Sequence, residues 1–163
     1  MTEIARMLSA NAAYAAGGHT HVADARPSRR VAVVTCMDAR IDVFAVLGLR
    51  IGEAHVIRNA GGRVSEDVLR SLALSTHVLG VDTVVVMQHT GCGLAGVTDA
   101  ELRERTGADL GFLPIDDHAA VLRRDVDLLT ETPFLTPIGA IAGLVYDVAT
   151  GTVEEVCRWQ RGD

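Results

Sequence analysis

Five residues in two short segments carry most of the reactive chemistry of the chain. Cys36, Asp38 and Arg40 alternate within Thr35-Cys36-Met37-Asp38-Ala39-Arg40, and His89 and Cys92 fall close together in Gln88-His89-Thr90-Gly91-Cys92-Gly93. Two thiolates and one imidazole are a donor set that suits zinc best among common biological metals. The spacing of His89 and Cys92 lets a turn aim both at one ion. Structural zinc sites usually close with four Cys or His ligands, whereas catalytic sites keep three and an open position. Cys36, His89 and Cys92 make three, so the pattern points to a catalytic centre. Cys157, the remaining cysteine, would close the site as a fourth ligand, but it stands far along the chain with no partner beside it.

If the chain is extended from Cys36 to Arg40, Cys36, Asp38 and Arg40 face the same way. A guanidinium next to a carboxylate can grip it with a two-pronged hydrogen bond and keep it ionised. Held in that way, Asp38 accepts a hydrogen bond from a nucleophile at the metal. Turned the other way, it becomes a metal ligand itself and blocks the open position. Backbone N–H groups near Gly93 offer donors to an oxygen of substrate or product. The bland alternatives are a structural ion pair for Asp38 and Arg40, and inert burial for each cysteine taken singly. His19 and His21 fall in a polar linker, and His55, His77 and His118 read as structural or exposed. Gly61-Gly62 lacks the spacing of a phosphate-binding loop, so the two glycines read as a close backbone approach to the site.

The elements that must position these residues follow from periodicity. Residues 3–16 have a helical pattern, with Ile4, Leu8, Ala12 and Ala15 on one face. Val31-Ala32-Val33-Val34 and Thr83-Val84-Val85-Val86-Met87 are continuous apolar runs, as expected of strands buried on both faces. Each leads straight into one of the reactive segments. Further strands are expected at 54–58, 140–148 and 152–156, the last two joined as a hairpin. Helices are expected at 42–48, after Ser65 with Val68, Leu72 and Leu79 as its stripe, after the capping box Thr98–Glu101, and over 117–130. Strands alternating with helices predict one α/β domain over residues 1–163, with a mainly parallel sheet of order 2-1-3-4, helices on both faces and a C-terminal edge strand. In such a sheet, ligands bind beyond the carboxyl ends of strands where the order reverses. That brings Cys36 to His89 and Cys92.

These residues resemble a known family. Cys36-Met37-Asp38-Ala39-Arg40 with His89-Thr90-Gly91-Cys92 is similar to the Cys-x-Asp-x-Arg and His-x-x-Cys pair of β-class carbonic anhydrases. Gly52-Glu53-Ala54-His55-Val56-Ile57-Arg58-Asn59-Ala60-Gly61 looks like the segment those enzymes carry between the motifs. The resemblance is strong over residues 31–95 and general elsewhere. It implies zinc on Cys36, His89 and Cys92, with Asp38 and Arg40 as a dyad beside it or Asp38 as a fourth ligand in a closed state. It also implies reversible hydration of carbon dioxide and a dimer or tetramer, with residues 1–28 packing on a partner subunit. Asn59-Ala60-Gly61-Gly62 offers no glutamine of the kind plant-type enzymes use, so the chain looks closer to a compact bacterial branch. That branch includes carbonyl sulfide hydrolases, which makes the sulfide an alternative substrate.

Composition narrows the classes further. The 163 residues carry a formal charge of −6 with no basic block, which argues against nucleic acid as a partner. All 15 basic residues are Arg, so Schiff-base chemistry and a P-loop lysine are excluded. Only 4% of residues are aromatic, so Ala, Val, Leu and Ile must fill the core, and part of the apolar surplus points to a subunit interface. Three widely spaced cysteines make a poor disulfide framework. With no signal-peptide pattern and no membrane-length apolar run, a cytoplasmic protein is expected. A non-catalytic zinc or redox sensor would need a closed four-ligand site or a resolving cysteine near the first, and the sequence spacing offers neither.

Overall fold

The computed structural model describes residues 1–19 and 21–162. Its centre is a sheet of five strands: β1 (Val31–Cys36), β2 (Ala54–Asn59), β3 (Thr83–His89), β4 (Ala140–Tyr146) and β5 (Val153–Gln160), in the order β2-β1-β3-β4-β5. The first three pairings are parallel, and β5 returns antiparallel to β4. From β1 the chain steps to β2 on one side and then crosses to β3 on the other, so the reversal of order falls at β1. Val31 lies opposite Thr83 and Thr35 opposite Met87. One further step sets Cys36 level with Gln88, beside His89, at the carboxyl edge of the sheet. The register alone therefore brings the two reactive segments together across 52 residues of chain.

The apolar runs are buried because both faces of the sheet are covered. Ala32, Val34, Val84 and Val86 pack with Val68 and Leu72 of α3 (Glu66–His77) and with Leu122, Val126 and Leu129 of α5 (His118–Glu131). Val33, Val85 and Met87 meet Val43, Val46 and Leu47 of α2 (Val43–Leu47) and Leu102 of α4 (Asp99–Thr106) on the opposite face. Each fully buried Val or Leu contributes about 1.5–3 kcal/mol of transfer free energy. Arg63 and Asp125, both nearly buried, tie α5 to the chain entering α3. Arg63 Nε and Nη2 reach the two carboxylate oxygens at 2.8 and 3.0 Å, and Nη1 donates to the carbonyl of Leu113.

Local expectations hold with differences that have physical causes. The capping box at Thr98 is present, with both the Thr98 and the Glu101 bonds made. Ser65 is the N-cap of α3 but makes no capping bond; its hydroxyl instead accepts from Asn59 Nδ2 at 3.4 Å. Leu79 lies beyond the end of α3, because the helix stops at His77 and the chain turns through Gly80 at positive φ. The hairpin strands run 140–146 and 153–160, since Asp147 Oδ1 accepts from the amides of Ala149 and Thr150 and closes the turn early. The first helix, α1 (Glu3–Ala16), has no buried residue. No helix among the described residues is long and apolar enough to cross a membrane.

Candidate metal centre

Cys36 ends β1, His89 ends β3, and Cys92 follows in the turn after β3. All three are buried, His89 completely. Their donor atoms lie within 4.8 Å of one another, and the two sulfurs are 3.9 Å apart. Two sulfurs at about 2.3 Å from a tetrahedral zinc would stand roughly 3.8 Å apart, which matches. His89 Nδ1 lies 3.0 Å from the Thr90 carbonyl, which leaves Nε2 as the nitrogen turned toward the sulfurs. That Nε2 is buried with no hydrogen-bond partner among the described residues. An orphaned buried nitrogen is costly unless something binds it. The donor set and its spacing fit a zinc ion.

The turn that carries Cys92 is held from several sides. The Thr90 amide donates to Tyr146 O at 2.9 Å, and its hydroxyl accepts from Val148 N at 3.1 Å. The Leu94 amide points at Cys92 Sγ at 3.5 Å. Behind Cys36, the glycine pair serves as a close approach. Gly62 has φ +63°, and a Cβ there would stand 2.9 Å from Cys36 N, Thr35 C and Met87 O. Gly61 (φ +76°) leaves room for Leu94 and Ile115.

Asp38 and Arg40 meet by a different route from strand alternation. The ladder ends at Cys36, and the chain turns: Asp38 Oδ1 accepts from the Arg40 amide at 2.9 Å, and Ile41 N donates to Asp38 O at 3.2 Å. An aspartate side chain that caps its own turn is a common local solution, and here it folds Arg40 back onto Asp38. Arg40 Nε and Nη2 reach Oδ1 and Oδ2 at 2.9 and 2.7 Å, and Nη2 also donates to Gly91 O at 2.9 Å. The second contact joins the two reactive segments. Hydrogen bonds from Arg40 hold the Asp38 carboxyl far below the usual carboxylate range. Asp38 Oδ2 stands 3.8 Å from His89 Nε2, beside the donor cluster rather than within it. The carboxylate is turned to Arg40.

A cavity of about 310 Å³ opens over the donors, lined by Met37, Asp38, Ala60, Gly61, Gly93 and Leu94 together with both cysteines. Gly93 lines this cavity. Cys157 does not; it sits on β5 opposite Gly143 and packs against the other face of the sheet. Four of the other five histidines have structural partners: His19 meets Tyr14, His55 meets Ser75, His77 meets Phe134 O and His118 meets Gln88, while His21 is exposed. One expectation needs correcting. Cys36 and Cys92, remote in sequence, are near enough in space to resolve one another, so sequence distance alone does not dispose of a redox role. The third donor beside them, His89, is what favours a metal. Sequence reasoning also missed Arg58, which donates to three carbonyls of the 36–41 segment. Side chains that work through backbone carbonyls leave no pattern in their partners.

An α/β protein with a Cys-His-Cys group that could bind a metal at its strand-order reversal is thus defined, and comparison with known proteins gives it a family. The carbonic anhydrase family model matches residues 31–115. Beta-carbonic anhydrase 1 of Mycobacterium tuberculosis is 40% identical over 136 residues, covering 80% of this chain and 83% of that one. The crystal structure of carbonic anhydrase from Streptococcus mutans superposes with a TM-score of 0.86 at 41% identity, over 96% of this chain and 99% of that one. A carbon disulfide hydrolase of Saccharolobus solfataricus is 43% identical over 98 residues, 58% of this chain and 48% of that one. The chain belongs to the β-class carbonic anhydrase family.

Proposed function

We propose that this chain is a zinc enzyme that reversibly hydrates carbon dioxide to bicarbonate, with Cys36, His89 and Cys92 as ligands. One observation carries the reading: the buried, unpartnered His89 Nε2 faces two thiols, with the ionised Asp38 carboxylate 3.8 Å away. Zinc would supply a Lewis acid that lowers the pKa of water to about 7, as is known for carbonic anhydrases. Asp38 would accept a hydrogen bond from the nucleophilic oxygen and so orient that oxygen's lone pair toward the substrate carbon. Arg40 keeps Asp38 charged and aimed, and through Gly91 O it fixes the dyad against the ligand turn. Met37, Ala60 and Leu94 give the nonpolar substrate an apolar surface, and the amide beside Gly93 is a donor for a developing oxygen charge. The test is stopped-flow hydration by zinc-loaded protein and by Cys92→Ser. Equal rates in the two would sink the proposal.

The similarity to a carbon disulfide hydrolase favours a second reading, in which carbonyl sulfide or carbon disulfide takes the place of carbon dioxide. The longer coverage of the carbonic anhydrase relatives supports carbon dioxide. Sulfide release measured beside hydration on the same sample separates the two.

We also infer that residues 1–163 act as one domain in the cytoplasm and work as a homodimer or higher oligomer. A helix of this length is marginal alone in water. α1 carries Ile4, Met7, Leu8 and Tyr14 more than half exposed, so its apolar face calls for a second copy to cover it. Light scattering on full-length protein and on Leu8→Glu tests this, and a monomer in both would refute it.

A further inference from the structure

We propose that Arg58 is a positioning residue for the metal-site loop, its guanidinium clamping three backbone carbonyls and so fixing the placement of Cys36 and Asp38 together. The inference rests on the metal-centre reading above. Arg58 is the penultimate residue of β2 and lies opposite Thr35, the last residue of β1 before Cys36. Beyond that point the chain leaves the sheet. The Met37 amide still donates to Asn59 O at 2.8 Å, but residues 38–41 turn away and have no strand to join.

Arg58 takes the place of that missing ladder. Nε donates to Cys36 O at 2.9 Å, Nη2 to Asp38 O at 2.6 Å and Nη1 to Ile41 O at 3.3 Å. A planar guanidinium with donors at fixed angles can hold three acceptors in one geometry, whereas an ammonium on a flexible stem cannot. The division between the two arginines is clear. Arg40 grips the carboxylate of Asp38, and Arg58 grips its carbonyl. With the backbone of residue 38 fixed, the carboxylate has only its side-chain torsions to explore, and Arg40 occupies one setting of them. The same clamp holds the Cys36 carbonyl, so the thiolate and the carboxylate keep their separation. Neither contact involves substrate, so the role is positioning rather than catalysis.

The experiment uses full-length Arg58→Gln and Arg58→Lys, loaded with cobalt(II) in place of zinc for spectroscopy and with zinc for turnover. The parent should show thiolate-to-cobalt charge transfer and a four-coordinate visible band. In Arg58→Gln the visible band should shift while cobalt stoichiometry and the melting temperature stay near parental. Its kcat should fall about 10- to 100-fold, the scale of a small misplacement at a reacting centre, with KM changing much less. Arg58→Lys should lie between the two. If Arg58→Gln fails to fold, Arg58→Lys carries the same comparison. A parental cobalt spectrum and parental kcat in the folded variant would overturn the proposal. So would a loss of activity that only follows the unfolded fraction. If the parent itself takes up no cobalt, the metal-centre reading fails first, and the proposal falls with it.

Discussion

Replacing Gly62 by Ala places a methyl where the backbone of both reactive strands already stands. The new Cβ would lie 2.9 Å from Cys36 N, Thr35 C and Met87 O, closer than real Cβ atoms approach. None of the three is the end of a flexible side chain, so relief requires strands β1 and β3 or the 60–62 turn to move. The left-handed φ of +63° adds about 1–2 kcal/mol for an L-residue. Forcing a methyl into a packed site costs about 1–3 kcal/mol more. The total is about 2–5 kcal/mol, a large share of the stability of an ordinary domain. At this chain length it corresponds to a fall in Tm of roughly 4–20 °C. Because the clash lies between Cys36 and the residue two before His89, zinc affinity should fall along with stability. Gly61→Ala meets mainly the side chains of Leu94 and Ile115 and should do less damage; Gly93→Ala meets nothing within 4 Å and should be tolerated by the fold. Thermal melts in chelator and zinc competition against a chromophoric chelator measure both effects. A Gly62→Ala protein with parental Tm and parental affinity would refute the reasoning.

Other expectations follow from the same contacts. Asp125→Asn removes the charge facing the buried Arg63 and should destabilise by about 3–5 kcal/mol in urea melts; a change near zero would mean that water reaches the pair. Burial pushes the Cys92 thiol up and the His89 imidazole down, so near neutral pH the imidazole has already lost its proton while the thiol keeps its own. Thiols must lose their protons to ligate, so zinc uptake should release protons and apparent affinity should rise with pH. Calorimetry in two buffers of different ionisation enthalpy counts them, and a count of zero contradicts the ligand set. Asp38→Asn keeps the shape but loses the charge that Arg40 holds, and should lower kcat/KM by about 100-fold or more across pH 6.5–9; full turnover at every pH would remove Asp38 from the mechanism.

How much of this was legible in the sequence depends on what kind of signal each feature leaves. The continuous apolar runs before Cys36 and His89 named the central strands because burial on both faces removes the polar alternation. Their adjacency followed from the order reversal, and the parallel register then fixed which residues meet. Asp38 and Arg40 were paired for the wrong local reason. An aspartate capping its own turn looks the same in sequence as an extended alternation, and only the end of the ladder at Cys36 decides between them. Leu79 fitted the stripe of α3 by spacing, yet the helix ends earlier, since periodicity does not mark where a chain turns. Gly62 was legible as a close approach but not which atoms it spares. Arg58 and the Arg63–Asp125 pair were not legible, because their partners are carbonyls or a residue far along the chain.

The most direct test of the central claim is the initial rate of carbon dioxide hydration by stopped flow at about pH 8, with protein carrying one zinc per chain. Carbonyl sulfide and carbon disulfide are assayed on the same sample. Fast hydration that disappears with chelator and returns with zinc is the predicted result. Zinc-loaded, folded protein that hydrates no faster than buffer would contradict it.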